Sequence, residues 1–400
     1  MIAARARELV RSPRFRLWGG AGLLTSLRAL VLVTVAGFSV HALGPPSTTA
    51  SGLAPGTRSI VLSLFHWDAV KYVAIARRGY GDPTEPAYFP LYPLLVRVVH
   101  LLTNLSYTHS ALVVSWVAAY LLTVALIRLC AVCLHQQHWQ RVVLLVLFAP
   151  ASFFLFSGYP ESVVALLFTL VLICVCEEHF GRAALVAAAA SAAAPLGAFL
   201  VVPIMVGMVQ SPVQRQRWLR SITLLAVSEL GLLGYIIFLA RRYDSPLAFL
   251  DAQKYWNRQT TLPFRSLFWS INKILRGQPI GNPAVNGNTV AALGIDDLVT
   301  VAAVVGVVAL MWKIRGRDFL KSPLLPALSI GFLVLMFNVT NAAAGGVSPE
   351  ALARHLGIVV PFYLPAAMLG REETFVAVLI PFVVLGTLAQ VLFCYGLWFT

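Results

Sequence analysis

Charge is what this 400-residue chain has least of. Only 12% of its residues are Asp, Glu, Lys or Arg, against about a quarter in an ordinary soluble domain. That deficit, with 59% apolar residues and a mean hydropathy of +0.80, excludes a soluble globular protein and describes a polytopic membrane protein. Carboxylates are scarcer than cations, sixteen Asp and Glu against thirty Lys and Arg, leaving a formal charge of +14. In a soluble chain that surplus points to nucleic acid. Here much of the basic excess lies between apolar runs, where it fixes topology, so nucleic-acid binding is set aside. Cysteine is scarce as well. Cys130, Cys133, Cys174, Cys176 and Cys394 all fall inside apolar segments, so "CAVC" reads as a pair of small core residues, and no metal site is implied. A processing signal is also lacking. The amino terminus "MIAARARELVRSPRFR" puts five arginines ahead of a long apolar run that no small-residue cleavage site follows, the pattern of a cytoplasmic anchor before a retained helix.

What the chain does have is one apolar run after another. Candidate spans of roughly 20 residues fall near 17–42, 109–134, 140–156, 160–176, 182–209, 219–240, 290–312, 323–341, 352–370 and 374–399. The 182–209 run contains Pro195 and Pro203 and reads as two short or broken passes. The expectation is an all-α protein in a single membrane domain, 1–400, with about eleven passes; segment 91–103 is either a twelfth or a helix lying on the surface. With the amino terminus inside, the short loops that fall in the cytoplasm are mostly basic. Two long segments, 44–108 and 241–288, then face the other side, where interfacial helices are expected. No internal repeat of helix pairs is visible.

The sixteen carboxylates are few enough to weigh singly. Glu8, Glu177, Glu178, Asp318, Glu372 and Glu373 sit beside basic residues at cytoplasmic positions, where solvated ion pairing explains them. Glu229 is mid-span, either a functional group or a protonated, Ser-bonded structural one. The other nine, Asp68, Asp82, Glu85, Glu161, Asp244, Asp251, Asp296, Asp297 and Glu350, gather on the outer side or at its interface. Asp68 has the most unusual neighbours. In "FHWDAVKYVAIARRGY" the residues Phe65, Ala69, Tyr72, Val73 and Ala76 share one helical face, suited to lying on a membrane. Asp68 then opens that helix, where the dipole favours a carboxylate. A helix cap with snorkelling Lys71 and Arg77 explains the pattern equally well. "AYFPLYP" places Tyr88, Phe89 and Tyr92 around two prolines, as an interfacial aromatic belt would. Arg241, Arg242, Lys254 and Arg258 in the second long segment, and Arg354 with His355 in "ALARHLG", suit either anionic headgroups or the phosphate of a lipid-linked substrate.

These stretches resemble one family. "HWDAVKYVAIARRGY…AYFPLYPLL" is similar to the signature of the PIG-V family, the GPI mannosyltransferase II type enzymes and their actinobacterial relatives. The likeness continues in "FAPASFFLFSGYPESVVALLF", which places Tyr159 and Glu161 at the outer end of a helix, in "SPLAFLDAQKYW" and in "RHLGIVVPFYLPAA". Two departures stand out: Lys71 where a histidine or aromatic is frequent, and Ala194 where a basic residue commonly precedes Pro-x-Gly. The resemblance implies a GT-C glycosyltransferase of the plasma membrane, with its active site extracytoplasmic and inverting chemistry. The donor would be a polyprenyl-phosphate sugar, typically mannose, acting as substrate with no cofactor, and the acceptor a lipid, lipoglycan or glycan. Asp68 becomes the catalytic base. Donor-phosphate or acceptor contacts fall to His66, Trp67, Lys71, Arg77, Arg78, Tyr80, Tyr88, Phe89, Tyr159, Glu161, Gln253, Trp256, Arg258, Arg354 and His355, with no metal ligand among them. A transporter or flippase for lipid-linked saccharide, and a noncatalytic accessory subunit, are the competing readings. A transporter would place more ionisable groups in midmembrane than Arg28 and Glu229.

Overall fold

In the computed structural model the described residues are 13–42, 59–133, 138–215, 217–256, 258–265, 268, 272, 275–276, 290–315, 319–343, 352–357 and 359–395. The basic segment 1–12, residues 44–58 of the first long segment and most of 266–289 lie outside them, as do the side chains of Trp256, Arg258, Asp296 and Asp297.

Helices dominate. In chain order they are α1 (Pro13–Ala42), α2 (Asp68–Arg78), α3 (Leu91–Thr103), α4 (Tyr107–Cys133), α5 (Trp139–Leu147), α6 (Glu161–Cys176), α7 (Phe180–Ser191), α8 (Val201–Gln210), α9 (Trp218–Ser228), α10 (Leu230–Tyr243), α11 (Val290–Ile314), α12 (Leu325–Thr340), α13 (Leu352–Gly357) and α14 (Glu372–Cys394). A three-residue antiparallel pair, β1 (Arg258–Thr260) with β2 (Asn341–Ala343), links the second long segment to the end of α12.

Among the described residues three helices are individually long and apolar enough to cross a membrane: Leu17–Ala42, Tyr107–Cys133 and Glu372–Cys394. Trp218–Ser228 and Leu230–Tyr243 make a fourth candidate bent by 47°. The span expected over 290–312 is met by the 25-residue α11; the remaining ones are shorter or interrupted, and the interruptions have local causes. The run expected over 140–156 stops being helical at Leu147, because Pro150 has no N–H for an α-helical bond. From Ala149 to Pro160 the chain leaves the α-helix, with a 3₁₀ turn over Ser152–Leu155 and irregular backbone on either side, and it is buried throughout; irregular backbone at membrane depth is tolerated only inside protein. Arg28 of α1 completes the break. Its Nε donates to the Leu147 carbonyl at 2.7 Å and its Nη2 to Ser152 Oγ at 3.3 Å, supplying a donor to one of the carbonyls that a helix end leaves unpaired. Its Nη1 reaches Gln390 Oε1 of α14 at 3.2 Å. The 182–209 run does break, into α7, a 3₁₀ turn over Pro195–Leu200 and α8. Gly197 is required there, since a Cβ would stand 2.0 Å from the Ala190 carbonyl oxygen.

Helix α3 has 13 residues, about 20 Å at 1.5 Å per residue, too short for a hydrocarbon core of about 30 Å. Tyr92, Pro93 and Val96 are buried while Leu94, Val98, Leu101 and Leu102 are exposed, which fits the surface alternative. Helix α2 departs from expectation. Its apolar face, Ala69, Tyr72, Ile75 and Ala76, is buried in the protein core, so it does not lie on a membrane. Tyr88, Phe89 and Tyr92, expected in an interfacial belt, are likewise protein-buried. Glu229 sits at the kink between α9 and α10, within 3.3 Å of Ser228 Oγ.

Candidate active site

Asp68 is set in place by its own backbone. Trp67, the residue before α2, holds φ 56° and ψ −119°, a region a bulky side chain rarely enters, at a cost of order 1–3 kcal/mol. Such strain persists only where surrounding contacts over-determine it, and its usual location is a functional site. The turn delivers Asp68 to the first position of α2 with its carboxylate engaged at both oxygens. Oδ1 accepts from the Tyr88 hydroxyl at 2.9 Å, and Oδ2 accepts from Arg354 Nη1 of α13 at 2.7 Å.

Arg354 serves a second carboxylate. Its Nε lies 3.0 Å from Glu161 Oε1, at the start of α6. The three side chains are well shielded, at 12% exposure for Arg354, 17% for Asp68 and 6% for Glu161. Removing any one would leave a shielded charge short of its partner. The guanidinium carbon also stands 5.4 Å from the Tyr159 ring centre and 5.7 Å from that of Phe154, within cation–π range. Pro160 precedes α6, so Tyr159 and Glu161, two positions apart on either side of it, reach Arg354 from one short stretch.

Behind this cluster is a hydrogen-bonded layer. The Tyr159 hydroxyl donates to the His66 carbonyl at 2.8 Å. Ser115 Oγ of α4 donates to the Tyr159 carbonyl at 3.1 Å and lies 2.9 Å from the Tyr92 hydroxyl. Tyr72 stacks edge-on between Tyr88 at 5.1 Å and Tyr92 at 5.3 Å. Burial, then the neighbouring Asp68, holds the Tyr88 phenol well above its usual range, so it remains a hydrogen-bond donor to Asp68 at any physiological pH. The His66 ring packs edge-on at 5.4 Å from Phe393, and burial lowers its pKa to about 4. It is therefore a neutral core imidazole at pH 7 and does not supply the positive charge that a phosphate contact needs.

Several sequence candidates have other duties. Arg78 ion-pairs with Glu85, whose buried carboxylate also accepts from the backbone N–H of Gly81 at 2.6 Å and of Asp82 at 2.9 Å. That arrangement ties the "GYGDPTE" turn together, with half of the Arg78 side chain left exposed. Lys71 bonds Thr84 Oγ1 at 3.3 Å and pairs with Asp82 at 3.7 Å, while Arg77 is exposed. The Tyr80 hydroxyl donates to the Tyr88 carbonyl at 2.6 Å, and the Tyr80 carbonyl accepts from Arg242 Nη2 at 2.9 Å. Tyr243 and Tyr235 of α10 donate to the carbonyls of Asp82 and Pro86, so α10 grips the first long segment from outside. Phe89 packs 4.8 Å from Tyr235 in a small cluster of its own. His355 Nδ1 donates to Asn338 Oδ1 at 2.9 Å, and Gln253 donates to the Phe249 carbonyl at 3.5 Å.

Of the sequence candidates, the structure thus gathers Asp68, Tyr88, Tyr159, Glu161 and Arg354, with the His66 carbonyl behind them. It adds Tyr72, which read in sequence as part of a membrane-facing helical face, and Ser115 and Phe154, which read as ordinary apolar-segment residues. Glu85 was legible only as one of nine outward carboxylates. The described residues include no group of three or more metal-ligating side chains.

Comparison with known proteins identifies the family. The family described as "Mannosyltransferase (PIG-V)" matches residues 23–243, a range that contains Asp68, Tyr88, Tyr159 and Glu161. The chain is 31% identical over 156 residues to the protein named GPI alpha-1,6-mannosyltransferase 2 of Homo sapiens. That alignment covers 36% of this chain and 32% of the human protein, so it spans about a third of that relative's length. With more than half of its residues matched, the chain belongs to the PIG-V mannosyltransferase family.

Proposed function

We propose that this protein is a membrane mannosyltransferase that takes its sugar from a polyprenyl-phosphate carrier and passes it to a lipid, lipoglycan or glycan acceptor, with Asp68 as general base. The observation that carries the reading is the Asp68 carboxylate held between Tyr88 and Arg354 at the start of α2. Family membership and the printed name of the human relative support mannose as the sugar.

In the proposed inverting step the acceptor oxygen forms a bond to the sugar's C1, Asp68 takes the hydroxyl proton, and the bond from C1 to the phosphate oxygen breaks. The electron pair leaves with the polyprenyl phosphate. Arg354, Lys71, Arg77 and the half-exposed Arg78 are candidate cations among the described residues to meet that phosphate, in the way fixed donors stabilise a leaving oxyanion. Arg354 ties base placement to phosphate recognition, because it already orients Asp68. Glu161 keeps the guanidinium in register from the opposite side.

The GT-C reading places this chemistry on the extracytoplasmic face of a plasma membrane, in agreement with the basic short loops assigned to the cytoplasm. The eleven or twelve expected passes would then be assembled from short and broken helices as well as the long ones. The isoprenoid tail of the donor would lie in an apolar groove between helices. The test is to incubate the purified protein with labelled polyprenyl-phosphate sugars and a membrane lipid extract. Transfer from the mannose carrier, and weak or no transfer from the glucose carrier, is expected. Transfer from a nucleotide sugar alone, or from no carrier at all, contradicts the reading.

A further inference from the structure

Cysteine in this chain reads from sequence as small core residues, with "CAVC" no redox motif. The fold brings two of them together. Cys133 is the last residue of α4 and Cys176 the last of α6, and their sulfurs lie 2.6 Å apart. Both are thiols and both are partly exposed. A disulfide requires Cβ atoms within about 4.5 Å and sulfurs able to close to about 2.05 Å. Two helix ends that already bring their sulfurs to 2.6 Å leave little further closure for the bond to form.

The surroundings favour holding them there. Leu129, Leu172, Leu324 and Leu364 line an apolar cleft around the pair, and Arg128 of α4 ion-pairs with Glu177 one residue beyond Cys176. At the other end of the same two helices, Ser115 bonds the carbonyl of Tyr159, two residues before α6 begins. Helices α4 and α6 are therefore fastened at both ends, and the cysteines occupy the end away from Asp68.

The geometry points to Cys133 and Cys176 as a reversible disulfide site that cross-links α4 to α6. The two residues are 43 positions apart, and the loop that the bond closes contains α5, the irregular segment and all of α6, including Tyr159 and Glu161. Oxidation there would constrain the stretch that carries half of the Arg354 site. The oxidant is a small-molecule disulfide, RSSR. One cysteine thiolate attacks RSSR to give a mixed disulfide and one RSH, and the second cysteine displaces the other RSH. Two cysteine protons and two electrons pass to the two RSH molecules, and the S–S bond of RSSR is replaced by one between Cys133 and Cys176.

The experiment uses the full chain in detergent, treated with oxidised glutathione and then with a maleimide mass tag, beside a reduced control. Expected are two fewer tagged thiols after oxidation, recovery of both on adding dithiothreitol, and tryptic peptides 129–141 and 142–182 linked to each other, with fragment ions that place the bond between Cys133 and Cys176. Cys133→Ser and Cys176→Ser should each abolish the protection, whereas Cys130→Ser and Cys174→Ser should leave it intact. The peptide map is read on the unmutated protein, so it stands even if a variant folds poorly. A map in which the two peptides are not linked, or fragment ions that place the bond at Cys130 or Cys174, overturns the assignment.

Discussion

Arg354 and Asp68 are 286 positions apart in the chain and 2.7 Å apart in space. Because Arg354 also pairs with Glu161 at 3.0 Å, one guanidinium fixes two carboxylates that start two different helices. A lysine is a point charge on a flexible stem and cannot reproduce that fork. Arg354→Lys should therefore lower transfer by about 100-fold, the size of effect seen when one oriented donor is removed from an active site. The check is steady-state transfer from labelled polyprenyl-phosphate mannose, with size-exclusion elution unchanged.

Tyr88→Phe removes a single hydrogen bond to a charged acceptor, worth about 1.5–3 kcal/mol, while the ring that packs on Tyr72 remains. The expected outcome is a loss in kcat of roughly 10- to 100-fold with little change in thermal stability. A melting temperature that falls in step with activity would assign Tyr88 a packing role only.

How much of this was legible in the sequence differs by residue. Asp68 and Glu161 were, since carboxylates are so few that each invites a reason. The Arg354 link was not, because nothing local reports a partner 286 positions away. Helix α2 was read correctly as a helix and incorrectly as membrane-facing. Lipid and protein interior are both apolar, so Ala69, Tyr72 and Ala76 look the same to either. Helix α5 was over-extended past Leu147 because hydropathy records the apolar run and not where the backbone stops being helical. The pairing of Arg78 with Glu85 was not legible, since Glu85 is buried by a turn whose shape was not visible in the residues.

Glu85→Ala should destabilise the protein more than Arg78→Ala. Glu85 is fully buried and its oxygens hold two backbone N–H groups as well as Arg78, whereas half of the Arg78 side chain is exposed. A loss of about 2–4 kcal/mol is expected for Glu85→Ala and about 1 kcal/mol or less for Arg78→Ala. Thermal unfolding in detergent, measured on both variants, reads the difference; equal losses would contradict the role given to the turn.

His66 makes the fold acid-sensitive. Its folded pKa is lowered by burial from 6.5 to about 4, so between those values the unfolded chain binds more protons than the folded one. Stability then rises with pH across the window and is lost on acidification, by about 3 kcal/mol at its lower end. The melting temperature of the unmodified protein should fall between pH 6.5 and 4 more steeply than that of His66→Asn. Parallel profiles for the two proteins would show that this imidazole is not the group responsible.

The most direct test of the account is single-turnover mannose transfer by Asp68→Asn, in which the side chain keeps its shape and loses its basicity. Transfer should fall by at least about 100-fold, within the range that a general base contributes, while binding of the polyprenyl-phosphate donor and the elution profile stay unchanged. Transfer at the rate of the unmodified protein would contradict the assignment of Asp68 as the base.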